Sequence, residues 1–207
     1  CSLLEGNEEF CLIDDQKLVF ETGKLLAEIS TPTQKNVLIV NGGPGTGKSV
    51  VAINLLVELT RRGLVAQYVT KNSAPRAVYQ SKLTGTFTQT RITNLFKGSG
   101  VFTETKANTF QALIVDEAHR LNEKSGLFSK GENQIKEIIN ASTFSIFFLD
   151  EDQRVHWKDI GDNDKVKHWA EELGASITEL ELQSQFRCNG SDGYLAWIDH
   201  PLGIHDT

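Results

Sequence analysis

The stretch Val37-Leu38-Ile39-Val40-Asn41-Gly42-Gly43-Pro44-Gly45-Thr46-Gly47-Lys48-Ser49-Val50 decides the fold. Its first four residues form a short, continuous apolar run, the mark of a strand buried on both faces of a parallel sheet. Gly42 to Ser49 then matches G-x-x-x-x-G-K-[ST] in full. A helix is predicted from about Lys48 to Arg62, stopped by Gly63. Glycines permit backbone conformations closed to other residues and let N–H groups approach phosphate oxygens. The helix start adds partial positive charge. Lys48 suits neutralisation of β and γ phosphates, and the Ser49 hydroxyl suits ligation of Mg²⁺. Gly42, Gly43, Pro44, Gly45, Thr46, Gly47, Lys48 and Ser49, with Val50 in the first helical turn, are therefore the candidate nucleotide-binding residues. A Gly-rich turn also occurs as a plain strand–helix connection, but the flanking elements favour the phosphate loop.

Downstream, Leu113-Ile114-Val115-Asp116-Glu117-Ala118-His119 places two carboxylates at the C-terminal end of a second buried run. Ligands of open α/β sheets sit at that edge. Asp116 can hold Mg²⁺ directly or through water. Glu117 can orient and deprotonate an attacking water, the task of a general base. Acidic residues also cap ordinary turns, and the pairing with a phosphate loop on a neighbouring strand is what favours the active reading. His119 either couples the site to a partner or bonds to backbone. A third strand end, Phe147-Phe148-Leu149-Asp150-Glu151-Asp152-Gln153, repeats the pattern. Gln153 there can contact a γ-phosphate, or the run is an acidic turn.

Other elements follow from periodicity and breakers. A helix is predicted after Asp14-Asp15 and ends at Ser30-Thr31-Pro32-Thr33. Further strands are predicted at Val65 to Val69, Ala112 to Val115, Ser145 to Leu149 and Ile177 to Leu182. Helices are predicted at Ala74 to Leu83, Glu132 to Asn140, Val166 to Leu173 and Tyr194 to Ile198. Gly85 to Asn108 is polar and Thr-rich, and reads as irregular with at most a short helix. Strands alternating with helices give an α/β fold with a mainly parallel sheet.

The chain has 207 residues, 39% hydrophobic and 23% charged, which suits a globular protein with a substantial core. No apolar run reaches the ~18 residues of a membrane span, and no signal-peptide pattern opens the chain. Cys1, Cys11 and Cys188 are too few and scattered for a disulfide framework or zinc site, so a reducing cytoplasm is expected. There is no Met, which predicts a fragment of a longer chain. The net charge is −6, yet between Thr60 and Lys106 there are eight basic residues and one acid. Such a segment is either a polyanion footprint or a solvated face.

Together these blocks resemble a superfamily 1 helicase core, and more narrowly the Schlafen group 3-like DNA/RNA helicase domain family. The segments that carry the resemblance are Leu12 to Gln16, Asn41 to Ser49, Thr70 to Arg76, Phe96 to Gly100, Ile114 to Leu121, Asp150 to Gln153 and Gln185 to Ser191. It implies a RecA-like P-loop NTPase domain over 1–175 and the start of a second helicase domain over 176–207. It implies ATP and Mg²⁺ as cofactors and DNA or RNA, most simply single-stranded, as partner. Gln16 is similar to the helicase glutamine that reads the adenine edge. Thr70, Lys71, Asn72 and Arg76 follow the second strand, as does the helicase segment that touches a nucleic-acid backbone. Gln153 is similar to the γ-phosphate sensor of the third motif, although the Gly that usually precedes Asp150 is absent. Arg187 is similar to the arginine of the fourth motif, with Phe186 where an aromatic stacks on adenine; an ordinary surface ion pair is the other reading of Arg187. Arg187 is also the last Arg or Lys in the sequence. A missing arginine finger costs ~10³–10⁵ in rate in related chemistry, so these 207 residues are expected to bind ATP–Mg²⁺, hydrolyse it poorly and not unwind duplexes alone. Two other functions stay open: a nucleotide-gated regulatory module without translocation, and a small-molecule kinase, for which no Arg-rich lid segment is found.

Overall fold

A computed structural model describes residues 12, 14–71, 94–124, 131–150 and 161–183. The helices expected at 74–83 and 194–198 lie outside these residues, as do Asn72, Arg76, Gln153, Phe186 and Arg187. In chain order the elements are α1 (Asp14–Ile29), β1 (Asn36–Gly42), α2 (Lys48–Arg61), β2 (Ala66–Val69), β3 (Phe96–Lys97), β4 (Phe110–Val115), α3 (Gln134–Ala141), β5 (Ser142–Leu149), α4 (Asn163–Glu172) and β6 (Ser176–Leu182). Short 3₁₀ turns occupy Ser99–Val101 and Ala118–Arg120.

All six strands join one sheet in the order β3-β2-β4-β5-β1-β6, and every pairing is parallel. Side chains alternate across a strand, and β1 shows the consequence. Leu38 and Val40 enter one core with Val19 and Leu26 of α1 and Val51, Leu55 and Leu59 of α2. Val37 and Ile39 enter the other core with Ile135 and Ile138 of α3 and Val166 and Ala170 of α4. Helices thus cover both faces, which is why β1, β4 and β5 read as unbroken apolar runs.

Local capping sets the helix ends: α3 starts at Gln134, two residues after its expected start, and α4 at Asn163, three residues before. The Asn133 side chain accepts from the Ile135 and Lys136 amides at 2.9 and 3.3 Å, capping α3. Asp162 accepts from the Lys165 amide at 2.6 Å and caps α4. At the end of α2, Leu64 N–H donates to Leu59 O and Gly63 N–H to Thr60 O, a Schellman closure.

Two expectations are corrected. The Asp116 strand is not a neighbour of the phosphate-loop strand: β5 lies between β4 and β1. The stretch expected to be irregular contains β3, which pairs Phe96 with Tyr68 and Lys97 with Val69. Two residues are too few to display a period. Ser176–Leu182, which the resemblance places at the start of the second domain, pairs along the whole of β1 as the outer strand of the same sheet. Strand β5 also starts earlier than its apolar run. Its polar entry is tolerated because Ser142 Oγ donates to Ile138 O at 3.1 Å and Thr143 Oγ1 to Gln111 O at 3.0 Å.

The chain leaves β1 through α2 toward β2, and leaves β5 through α4 toward β6, on opposite faces and in opposite directions. Such a reversal opens a crevice at the C-terminal ends of the strands.

Candidate nucleotide site

All strands being parallel, Gly42, Thr70, Asp116, Asp150 and Gln183 emerge at one edge of the sheet. The loop from β1 to α2 turns over that edge. Gly45 and Gly47 have φ of 86° and 85°, the left-handed region, where only glycine sits without penalty. Gly47 is the residue before α2, and Val50 and Val51 N–H donate to its carbonyl. Thr46 is buried, and its hydroxyl donates to Gly43 O at 3.0 Å. Gly42 packs against β6; a Cβ there would stand 3.1 Å from both Leu182 Cβ and Leu182 O.

Gln16, on the first turn of α1, is buried, and its Nε2 donates to Thr46 O at 2.9 Å. The side chain expected at the adenine edge is therefore bonded to the phosphate loop itself. A Cβ on Gly47 would fall 2.3 Å from Gln16 Nε2, so the close approach requires glycine at 47. Asp15 ties the same turn to the end of β6, accepting from Gln183 N–H at 3.0 Å.

Lys48 Nζ donates to Gly42 O, to Gly43 O at 2.7 Å and to Asp150 Oδ2 at 3.1 Å. Asp150 is buried at the end of β5. Ser49 Oγ donates to Asp116 Oδ2 at 2.7 Å, and Tyr68 OH donates to the same oxygen. Asp116 Oδ1 accepts from Glu117 N–H at 3.0 Å, and Asp116 N–H donates to Val69 O at 2.9 Å. Thus the Ser49–Asp116 pair is assembled across the intervening strand. Glu117 takes φ 52° and ψ 42°, the left-handed region, as the chain turns into Ala118–Arg120. Its carboxylate lies 3.9 Å from Arg120 NH1. His119 is buried.

Ser49 and Asp116 offer hard oxygens, the donor class that Mg²⁺ takes. Among the described residues no group of three or more His, Cys, Asp or Glu forms a metal cluster. That donor set fits a cation held by one carboxylate, a hydroxyl, phosphate oxygens and water, and does not fit an all-protein cage.

Of the expected nucleic-acid contacts, Thr70 and Lys71 are described. Thr70 is 1% exposed, and its N–H donates to Lys97 O at 3.1 Å. Lys71 is exposed beside it, with Nζ on Asn122 Oδ1 at 2.9 Å. Tyr68 and Asp150 are site neighbours that the motifs alone do not single out, Asp150 only opening the run Asp150 to Gln153. The available signal was a phenol inside a buried strand, whose hydroxyl requires a partner.

The family model for the Schlafen group 3 DNA/RNA helicase domain matches residues 35–207. The chain belongs to this family. No curated protein matches the chain. Among solved structures, the Schlafen-family chain is similar to the Pif1 helicase from Candida albicans, with 14% identity, a TM-score of 0.51 and coverage of 93% of this chain and 44% of that one. AMPPCP-bound DnaA from Aquifex aeolicus aligns at 18% identity and a TM-score of 0.46, covering 99% and 56%. A DNA replication initiation factor aligns at 16% identity and a TM-score of 0.47, again covering 99% and 56%. The chain spans about half the length of these solved structures. The fold is that of a RecA-like P-loop NTPase, α/β with a parallel sheet flanked by helices. Among the described residues no helix is long and apolar enough to cross a membrane.

Proposed function

We propose that this domain binds ATP with Mg²⁺ and is the ATPase module of a DNA or RNA helicase or translocase, with weak hydrolysis by these 207 residues alone. The observation that carries the reading is the convergence of Lys48, Ser49, Asp116 and Glu117 at one sheet edge, with Ser49 Oγ 2.7 Å from Asp116 Oδ2. Membership of a DNA/RNA helicase domain family supports the choice of polymer partner.

The N–H groups of the loop and the positive end of α2 receive the phosphates. Lys48 exchanges the carbonyls of Gly42 and Gly43 for phosphate oxygens, which is a stronger, charge-assisted bond. Ser49 and Asp116 would hold the cation, which would supply charge neutralisation at the phosphates. Glu117, next to Asp116 on the strand end, orients a water and takes its proton. Gln16, bonded to Thr46 O, joins recognition of the base to the position of the loop. Gln153 and Arg187 sense and neutralise the γ-phosphate, and Phe186 stacks on the adenine. Lys71, with Asn72 and Arg76, contacts the backbone of a single strand, so binding weakens steeply with salt.

Calorimetric titration with ATP and Mg²⁺ tests the reading. Lys48→Ala and Asp116→Ala should each lower affinity at least tenfold; unchanged affinity in both variants would refute it. Stimulation of ATP hydrolysis by single strands then separates a motor from a nucleotide-gated docking module.

A further inference from the structure

Tyr68 lies in the middle layer of the domain, fully buried on β2. Its ring packs against Phe96 with centroids 5.5 Å apart. Packing alone asks only for an aromatic ring, and Phe would fill the same space. The hydroxyl donates to Asp116 Oδ2. That oxygen also accepts from Ser49 Oγ at 2.7 Å, while Oδ1 accepts from Glu117 N–H at 3.0 Å. Three donors from β2, α2 and the turn after β4 therefore fix the plane of the carboxylate. With two donors on Oδ2 and one on Oδ1, the remaining lone pair of the group lies on Oδ1. Ser49 is oriented by the same arrangement, since its proton is committed to Asp116.

We propose that Tyr68 is a positioning residue for the cation site: it holds the Asp116 carboxylate in register with Ser49 and acts on metal affinity through Asp116. This rests on the Mg²⁺ reading of Ser49 and Asp116 above. Outer partners of this kind orient the ligand, and their loss costs ~10–100-fold in metal affinity. Tyr68→Phe removes one hydroxyl and keeps the ring, so it isolates that effect.

The test is a calorimetric titration of the full chain with a non-hydrolysable ATP analogue, in Mg²⁺ and in EDTA, for the native protein, Tyr68→Phe, Asp116→Asn and the double variant. Native protein should bind more tightly in Mg²⁺ than in EDTA. Tyr68→Phe should shrink that ratio about tenfold and leave the EDTA affinity unchanged. In the Asp116→Asn background the same substitution should do nothing further. An undiminished ratio in Tyr68→Phe overturns the inference. So does an equal loss in Mg²⁺ and in EDTA, which marks a structural role. A native protein indifferent to Mg²⁺ instead overturns the underlying metal reading, and the inference with it.

Discussion

Lys48 Nζ lies 3.1 Å from Asp150 Oδ2, an ion pair that ties the phosphate loop to the end of β5. The two side chains are unequally placed, with relative exposures of 12% and 1%. Lys48 keeps two further acceptors, Gly42 O and Gly43 O. Asp150 Oδ1 has no hydrogen-bond partner among the described residues. The lysine therefore does two jobs before any ligand arrives: it stands over the loop carbonyls and compensates a buried carboxylate.

That inequality predicts which partner is costlier to remove. Lys48→Ala strands a buried negative charge, and breaking a buried pair from one side costs ~3–5 kcal/mol. Asp150→Asn leaves the amine with its carbonyls and an amide oxygen, a loss of about 1 kcal/mol. Urea unfolding of the two variants should rank Lys48→Ala as the less stable. The reverse order would mean that the carboxylate draws its compensation from elsewhere.

Gly161 meets the turn after the Asp116–Glu117 pair. A Cβ at this position would lie 1.7 Å from Ala118 O and 2.8 Å from His119 Cα. Both are backbone atoms, so no side chain can rotate out of the way. Gly161→Ala should destabilise the domain by about 2 kcal/mol, lowering the Tm by about 4–8 °C. Because the displaced backbone adjoins Glu117, hydrolysis should fall further than nucleotide affinity does. A thermal melt within a degree of the native protein would show that the segment gives way freely.

Lys35 secures the opposite end of β1. Its three N–H donors are shared among four acceptors, Asn108 Oδ1 at 2.5 Å and Ile139 O, Asn140 O and Ser142 O at 3.0, 3.2 and 2.5 Å, gathering α3, β5 and the approach to β4. Burial lowers its pKa from 10.5 to about 8. The unfolded chain then holds more protons than the folded one between those two values, so this group's contribution to stability grows as pH rises from about 8 toward 10.5. It is lost again as pH falls back through about 8. Unfolding free energies at several pH values, compared between the native protein and Lys35→Met, should differ by an amount that changes across this window. A constant difference would place the folded pKa near the ordinary lysine value.

Much of the fold was legible because its signals are local. The runs Val37 to Val40, Leu113 to Val115 and Phe147 to Leu149 are each buried throughout, and a continuous apolar run has only that home in a sheet covered on both faces. Gly47 before Lys48, and Gly63 after Arg62, mark helix ends by backbone conformation alone. Phe96–Lys97 escaped notice because a two-residue strand is defined by its partner, Tyr68 to Val69, and has no pattern of its own. Ser142 and Thr143 read as a break because their hydroxyls look polar until Ile138 O and Gln111 O are seen to satisfy them.

By itself the sequence determined the phosphate loop, the two carboxylates after β4 and an α/β chain of alternating elements, since each is written in consecutive residues. Only the tertiary structure decided that β5 stands between β1 and β4, and that β6 closes the far side of β1. It alone also joined Lys48 to Asp150, 102 positions away, and Tyr68 to Asp116, 48 positions away. The reason is physical: strand order and the pairing of buried polar groups are settled by which surfaces pack and which donors meet acceptors, and neither depends on distance along the chain.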